Sequence, residues 1–430
     1  MITLVVLAAV FIGYSLVAAR LDRLSITAPM VFVMTGLAIG LGNPEWLGAV
    51  GEPETVKLIA ELTLALLLFA DASTLRWGQV REDGGLPVRL LLIGFPLTVL
   101  AGLGLGVWLF PAAGLAAAAL AASILAPTDA ALGLGVFTNE SVPARIRRAL
   151  NVESGLNDGM ATPLVTLFLA LVVAQEGVGP ENWFAESVKE LGLAVVVALV
   201  AGAVGGRLIA SAHTRGWTSP LSDRLAALAL ALLAYGGAVA IGGNGFVAAF
   251  GAGLVFSAAS GGVLTEAVEF TEDLGLFVSF LVWAIFGALL LAPQLTGGVS
   301  GTAILYAVLS LTLVRMLPVA VSMIGTGLRP ASMLFMGWFG PRGLASVVFT
   351  LIAFETLEQS DLASETLIEI ATWTVFLSVI AHGLTAGPLA RRYGSRVAEE
   401  PVEQLEPASD LGTALPRALT SGRGGAKVWR

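Results

Sequence analysis

Glu153-Ser154-Gly155-Leu156-Asn157-Asp158-Gly159 lies inside an apolar run from about Ala149 to Val173, long enough to span a bilayer. An aspartate at mid-membrane costs roughly 2.5–3.5 kcal/mol even on lenient insertion scales. Such a residue is kept where it faces a cavity, an ion path or a partner. A salt-bridge cluster that only joins helices is the plainer reading of the same segment. Helical geometry separates the side chains. Ser154 and Asp158 are i,i+4 and share a face, and Glu153 and Asn157 share a neighbouring one. Glu153 and Asp158 stand about 140° apart around the axis. One carboxylate can therefore line a site while the other holds a partner helix. The expectation is Asp158 for the site and Glu153 for the partner.

The chain surrounding this stretch has 430 residues, of which 56% are hydrophobic and 13% charged. Soluble domains carry about 25% charged residues, so this is a polytopic membrane protein. Its 51 glycines suit helices that approach closely in lipid. With no cysteine and two histidines, His213 and His382, it offers no disulfide, no iron–sulfur cluster and little for a transition-metal site. No cofactor and no nucleic-acid partner is expected. The first apolar run begins at Ile2 without a basic segment before it, and reads as a retained helix rather than a signal peptide.

About thirteen apolar spans approach the roughly 20 residues a bilayer needs. They cover about 2–19, 26–42, 55–75, 88–110, 113–137, 147–175, 187–211, 222–241, 244–260, 270–292, 301–326, 331–354 and 366–390. Basic residues collect after the odd spans: Arg20 and Arg23; Arg76, Arg81 and Arg89; Arg145, Arg147 and Arg148; Arg207, Arg215 and Arg224; Arg329; Arg391, Arg392 and Arg396. The alternate loops are acidic or neutral, with Lys57 and Lys189 against the trend. The positive-inside rule then puts the N-terminus outside and the C-terminus in the cytoplasm. The loop before span ten is an exception, with Glu266, Glu269, Glu272, Asp273 and no basic residue. Residues 393–430 are polar and aperiodic, and read as a disordered tail too short for a nucleotide-binding regulatory domain.

Two spans are interrupted. Span five carries Ala126-Pro127-Thr128-Asp129, and span twelve carries Gly340-Pro341-Arg342-Gly343. Proline removes a backbone donor and clashes with the preceding turn. A broken helix is tolerated in a membrane where it is buried in protein or lines a cavity. Its freed carbonyls and half-helix ends are ion-coordinating groups. The breaks lie seven spans apart, so their helices cross in opposite directions, as in inverted repeats with span seven as connector. Asp71 ends span three, where a site role and a salt bridge with Arg76 are both open. Arg315, inside span eleven, needs a carboxylate partner. Glu272 and Asp273 read as charges at a cytoplasmic mouth, and His382 as a hydrogen-bonded packing residue.

These motifs, with Asn244-Gly-Phe-Val-Ala-Ala-Phe-Gly-Ala-Gly, Phe270-Thr-Glu-Asp-Leu-Gly and His382-Gly-Leu-Thr-Ala, resemble those of NhaP-type monovalent cation/proton antiporters over about residues 60–390. The resemblance implies an all-α fold of about thirteen transmembrane helices, the NhaA/NhaP-like antiporter fold with two broken helices. It implies a transporter domain over 1–392, with core helices at about 88–176 and 301–390 and dimerisation or scaffold helices at 1–75 and 187–292. By match, Asp158 binds the cation and the proton, with Asp129, Ser154, Asn157 and Thr128 beside it. Glu153 would pair with Arg342. Asp71 stands where relatives have glutamate, and Asn157-Asp158 resembles the electroneutral branch. The implied function is exchange of Na⁺, K⁺ or Li⁺ for H⁺ in a homodimer of the inner membrane. A cation channel is the alternative from another class. An intramembrane aspartyl protease lacks its Gly-x-Gly-Asp signature here. An ATP-driven pump lacks the Gly-x-x-x-x-Gly-Lys-Ser/Thr loop.

Overall fold

The computed structural model describes residues 2–43, 45, 48, 51–75, 85–137, 139–175, 182–357 and 362–398. Among these there are helices and turns and no strand. The helices are α1 Ile2–Arg23, α2 Ala28–Gly42, α3 Pro53–Thr74, α4 Leu86–Leu109, α5 Gly114–Leu125, α6 Leu134–Phe137, α7 Ala144–Gln175, α8 Trp183–Thr214, α9 Pro220–Ala240, α10 Gly245–Ser260, α11 Thr265–Gly297, α12 Gly301–Ser322, α13 Pro330–Trp338, α14 Leu344–Leu357 and α15 Leu362–Ala398. Eight helices are long and apolar enough to cross a membrane: α1, α4, α7, α8, α9, α11, α12 and α15. Shorter apolar helices stand at Ala28–Gly42, Pro111–Leu125, Gly245–Ser260 and Leu344–Leu357. Each expected span falls on a helix or on a pair of half-helices; the eight rest on length and apolarity alone.

Two expectations are corrected. Glu266, Glu269, Glu272 and Asp273 are not in a loop but on α11, where Glu266 in the first turn complements the helix dipole. The last helix runs on to Ala398, so the tail cannot begin at 393; residues 399–430 lie outside the described residues. Span five is broken at Pro127 as expected, into α5 and α6, where the backbone unwinds over residues 126–130.

Local chemistry sets several starts. Ser219, Asn244 and Ser300 cap α9, α10 and α12 by accepting the N–H of Ser222, Val247 and Ala303. α5 has small side chains on every face and is buried from Ala116 to Leu125. It packs between α4, α7 and α15. α3 is the seam of the molecule. One flank lies on α10 and α11 and the other on α14 and α7. Near the N-terminus of α3, Lys57 pairs with Glu355 of α14 at 2.9 Å. Close to its other end, Asp71 faces α7 at Gly155, where an added Cβ would stand 3.7 Å from the Asp71 Cβ.

Candidate functional site

The two breaks cross. Residues 126–130 and 339–343 are both unwound, and each fills the other's vacancies. The Asp129 N–H donates to the Pro341 carbonyl at 2.9 Å. Asp129 Oδ2 accepts the Leu344 N–H at 3.0 Å, which caps the N-terminus of α14. The Arg342 guanidinium donates from Nη1 to the carbonyls of Ala126 at 2.9 Å and Pro127 at 3.4 Å, at the C-terminal end of α5. Thus an anion meets a helix N-terminus and a cation meets a helix C-terminus, the favourable sign at both ends. Ser346 adds a hydroxyl bond to the Ile124 carbonyl at 2.7 Å.

The glycines of the second break make this crossing possible. A Cβ at Gly343 would collide with the Asp129 side chain, and one at Gly340 with the Arg315 guanidinium. Bare backbone at those two points lets a carboxylate and an arginine lie against the unwound segment.

Arg315 is the partner of Glu153. Its Nη1 and Nη2 donate to Glu153 Oε1 and Oε2 at 2.6 and 2.7 Å, a two-pronged pair with both side chains buried. The expected pairing of Glu153 with Arg342 is therefore corrected. The break supplies Arg342 with carbonyls of its own. The Glu153 face of α7 looks toward α12, where a π-helical turn at Ser310–Val314 leads into Arg315. The sequence held the needed signal, a buried arginine in want of a carboxylate, but the motif match drew the line to the wrong arginine.

Thr128 of the first break joins α7. Its hydroxyl lies 3.1 Å from Ser154 Oγ and accepts from Asn157 Nδ2 at 2.7 Å. Ser154 and Asn157, three residues apart, thus straddle one hydroxyl. Asn157 Oδ1 is buried and has no hydrogen-bond partner among the described residues. Asp158 follows. It lies within electrostatic reach of Asp129 and Asp71, and no basic side chain pairs with Asp158 or Asp71 among the described residues. Unlike Glu153 and Asn157, the three aspartates keep partial exposure. Arg76, the other reading for Asp71, lies outside the described residues. No three His, Asp or Glu side chains converge as a metal-ligand set among the described residues. What the site offers is oxygen: two carboxylates without a basic partner among the described residues, Asp158 and Asp71, with the hydroxyls of Thr128 and Ser154 and the carboxamide oxygen of Asn157 nearby. Such a set suits a hard monovalent cation or a proton.

From residue 6 to residue 392 the chain matches the family described as sodium/hydrogen exchanger, transmembrane. The chain belongs to that family. Sodium/hydrogen exchangers are multi-pass membrane proteins, and the eight long apolar helices agree. Among its relatives is the Na⁺/H⁺ antiporter ApNhaP of Aphanothece halophytica, 24% identical over 354 residues, which are 79% of this chain and 65% of that one. Another is the K⁺/H⁺ antiporter NhaP2 of Shewanella baltica (strain OS223), 26% identical over 237 residues, 54% of this chain and 40% of that one. The chain thus spans about two thirds or less of these relatives' length. The solved structure of the sodium proton antiporter MjNhaP1 from Methanocaldococcus jannaschii at pH 8 superposes with a TM-score of 0.73 at 22% identity, over 92% of this chain and 99% of that one. The exchanger fold is therefore shared.

Proposed function

We propose that this exchanger-family chain is an electroneutral secondary antiporter, trading one monovalent cation for one proton by alternating access. Na⁺ is the first candidate, with K⁺ and Li⁺ beside it; the relatives named above are a Na⁺/H⁺ and a K⁺/H⁺ antiporter. The observation that carries the reading is the crossing of two broken helices beside Asp158, a partly exposed carboxylate with no basic partner among the described residues. Asp158 binds either the cation or the proton. Thr128, Ser154 and Asn157 supply neighbouring oxygens, Asp71 stands across from Gly155, and Asp129 holds α14 to the first break. No resident cofactor is needed, since the cation is substrate.

The broken helices belong to a mobile core of about 88–176 and 301–390. It moves against scaffold helices 1–75 and 187–292, which also serve a homodimer in the lipid of the inner membrane. The N-terminus is outside and the C-terminus in the cytoplasm, a reading that the arginine distribution supports. In the cell such exchange serves pH homeostasis. The test is a pH-gradient dequenching assay in proteoliposomes with Na⁺, K⁺ and Li⁺ added in turn. At least one cation should collapse the gradient in the wild type and none in Asp158→Asn. A fully active Asp158→Asn protein would overturn the assignment.

A further inference from the structure

The motif His382-Gly383-Leu384-Thr385 on α15 lies outside the crossing, yet its polar members grip the second break. The N–H of Arg342 donates to Ser378 Oγ at 2.6 Å. Its neighbours are satisfied differently: Gly340 N–H reaches the Trp338 carbonyl, Pro341 has no N–H, and Leu344 N–H reaches Asp129. One helical turn beyond Ser378, His382 Nδ1 stands 3.1 Å from that same hydroxyl and 3.0 Å from the Ser378 carbonyl. The His382 ring lies on Trp338, the last residue of α13, with centroids 4.8 Å apart. Trp338 Nε1 in turn donates to Thr385 Oγ1 at 3.0 Å. Ser378, His382 and Arg342 have no exposed surface.

The path continues toward the cation site. The Arg342 guanidinium ends on the carbonyls of Ala126 and Pro127, directly before Thr128. Thr128 is bonded to Ser154 and Asn157. A chain of contacts thus runs from the Arg342 backbone to the Thr128 hydroxyl, which bonds Ser154 and Asn157 on the helix that carries Asp158.

We infer that Ser378 and His382 are positioning residues for cation binding: they pin the Arg342 backbone so that its side chain holds the first break in coordinating geometry. The inference rests on Asp158 being the cation site. Because the anchor shapes the site and does not carry the ion, its loss should change affinity more than turnover.

The experiment is exchange in proteoliposomes as a function of cation concentration for the wild type, Ser378→Ala, Ser378→Thr, His382→Phe and Asp158→Asn. Ser378→Ala should raise the apparent cation KM by about tenfold, the weight of one buried hydrogen bond, with Vmax within about twofold. Ser378→Thr keeps the acceptor and should restore the wild-type KM. His382→Phe keeps the stack on Trp338, loses the hold on Ser378, and should raise KM in the same direction. Cation-dependent elevation of Tm in detergent gives a readout apart from transport. It should need about tenfold more cation in Ser378→Ala. If Ser378→Ala does not fold, His382→Phe carries the same comparison. An unchanged KM, or a fall in Vmax at constant KM, overturns the positioning role. A wild type without cation-driven exchange, or an active Asp158→Asn, instead overturns the assignment of Asp158 and takes the positioning role with it.

Discussion

Glu153 and Arg315 form a buried, two-pronged ion pair between α7 and α12. Removing one member of such a pair leaves an uncompensated charge, at a cost of about 3–5 kcal/mol. Glu153→Ala and Arg315→Ala should each lower Tm well below that of Asp158→Asn, whose site charge has no basic partner among the described residues to strand. A double-mutant cycle should give a coupling of about 1–3 kcal/mol between Glu153 and Arg315, and much less between Glu153 and Arg342. Thermal unfolding in detergent checks both. At this scale the sequence reads unevenly. Asp158 and Glu153 face different ways, as 3.6 residues per turn requires. The choice between two buried arginines is a matter of tertiary distance, and spacing along the chain does not contain it. The Thr128 hydroxyl between Ser154 and Asn157 is likewise a long-range contact that helical faces do not foretell.

Among the elements, α5 and α14 decide the site, because α5 ends at the first break, α14 begins at the second, and the two breaks cross. Pro127 and Pro341 made both interruptions legible, and the neighbouring charges marked them as more than kinks. What remained hidden is which charge serves which helix. Asp129 caps α14 and Arg342 caps α5, so each serves the helix of the opposite break. Gly340 and Gly343 flank Pro341 and Arg342 in the sequence, but their use as gaps for Arg315 and Asp129 needs coordinates. The role of Asp129 separates two substitutions. Asn keeps an acceptor for the Leu344 N–H, whereas Ala removes it. Loss of a helix cap costs about 0.5–2 kcal/mol. Asp129→Ala should therefore be destabilised by about that amount relative to Asp129→Asn, measured as the difference in unfolding free energy. Equal stabilities would mean the cap is idle.

For the whole molecule, the apolar runs were legible because lipid demands length and apolarity, and each falls on a helix or on a pair of half-helices. The start of α11 was misjudged because acidic side chains lower its hydropathy while its helical geometry continues. Sidedness rests on the arginines. The absence of cysteine allows a direct test. Trp217 is 73% exposed in the turn between α8 and α9, beneath the Arg215 guanidinium. A Trp217→Cys protein in right-side-out membranes should resist an impermeant maleimide until the membrane is opened. Labelling of intact membranes would reverse the orientation.

The central claim is that cation and proton compete for Asp158, one for one. The adjacent position is Asn157, which cannot titrate, and Asp129 is engaged in holding α14. Competition makes the apparent cation affinity fall as pH falls, because protons occupy the carboxylate. One-for-one exchange moves no net charge. The most direct measurement is the exchange rate in proteoliposomes against cation concentration, at several pH values, with the membrane potential clamped by valinomycin and, where K⁺ is the substrate, by another charge-selective ionophore. The account predicts an apparent cation KM that rises up to tenfold per pH unit lowered, a Vmax that changes little, and rates indifferent to the imposed potential. A KM independent of pH, or a rate that follows the potential, would contradict it.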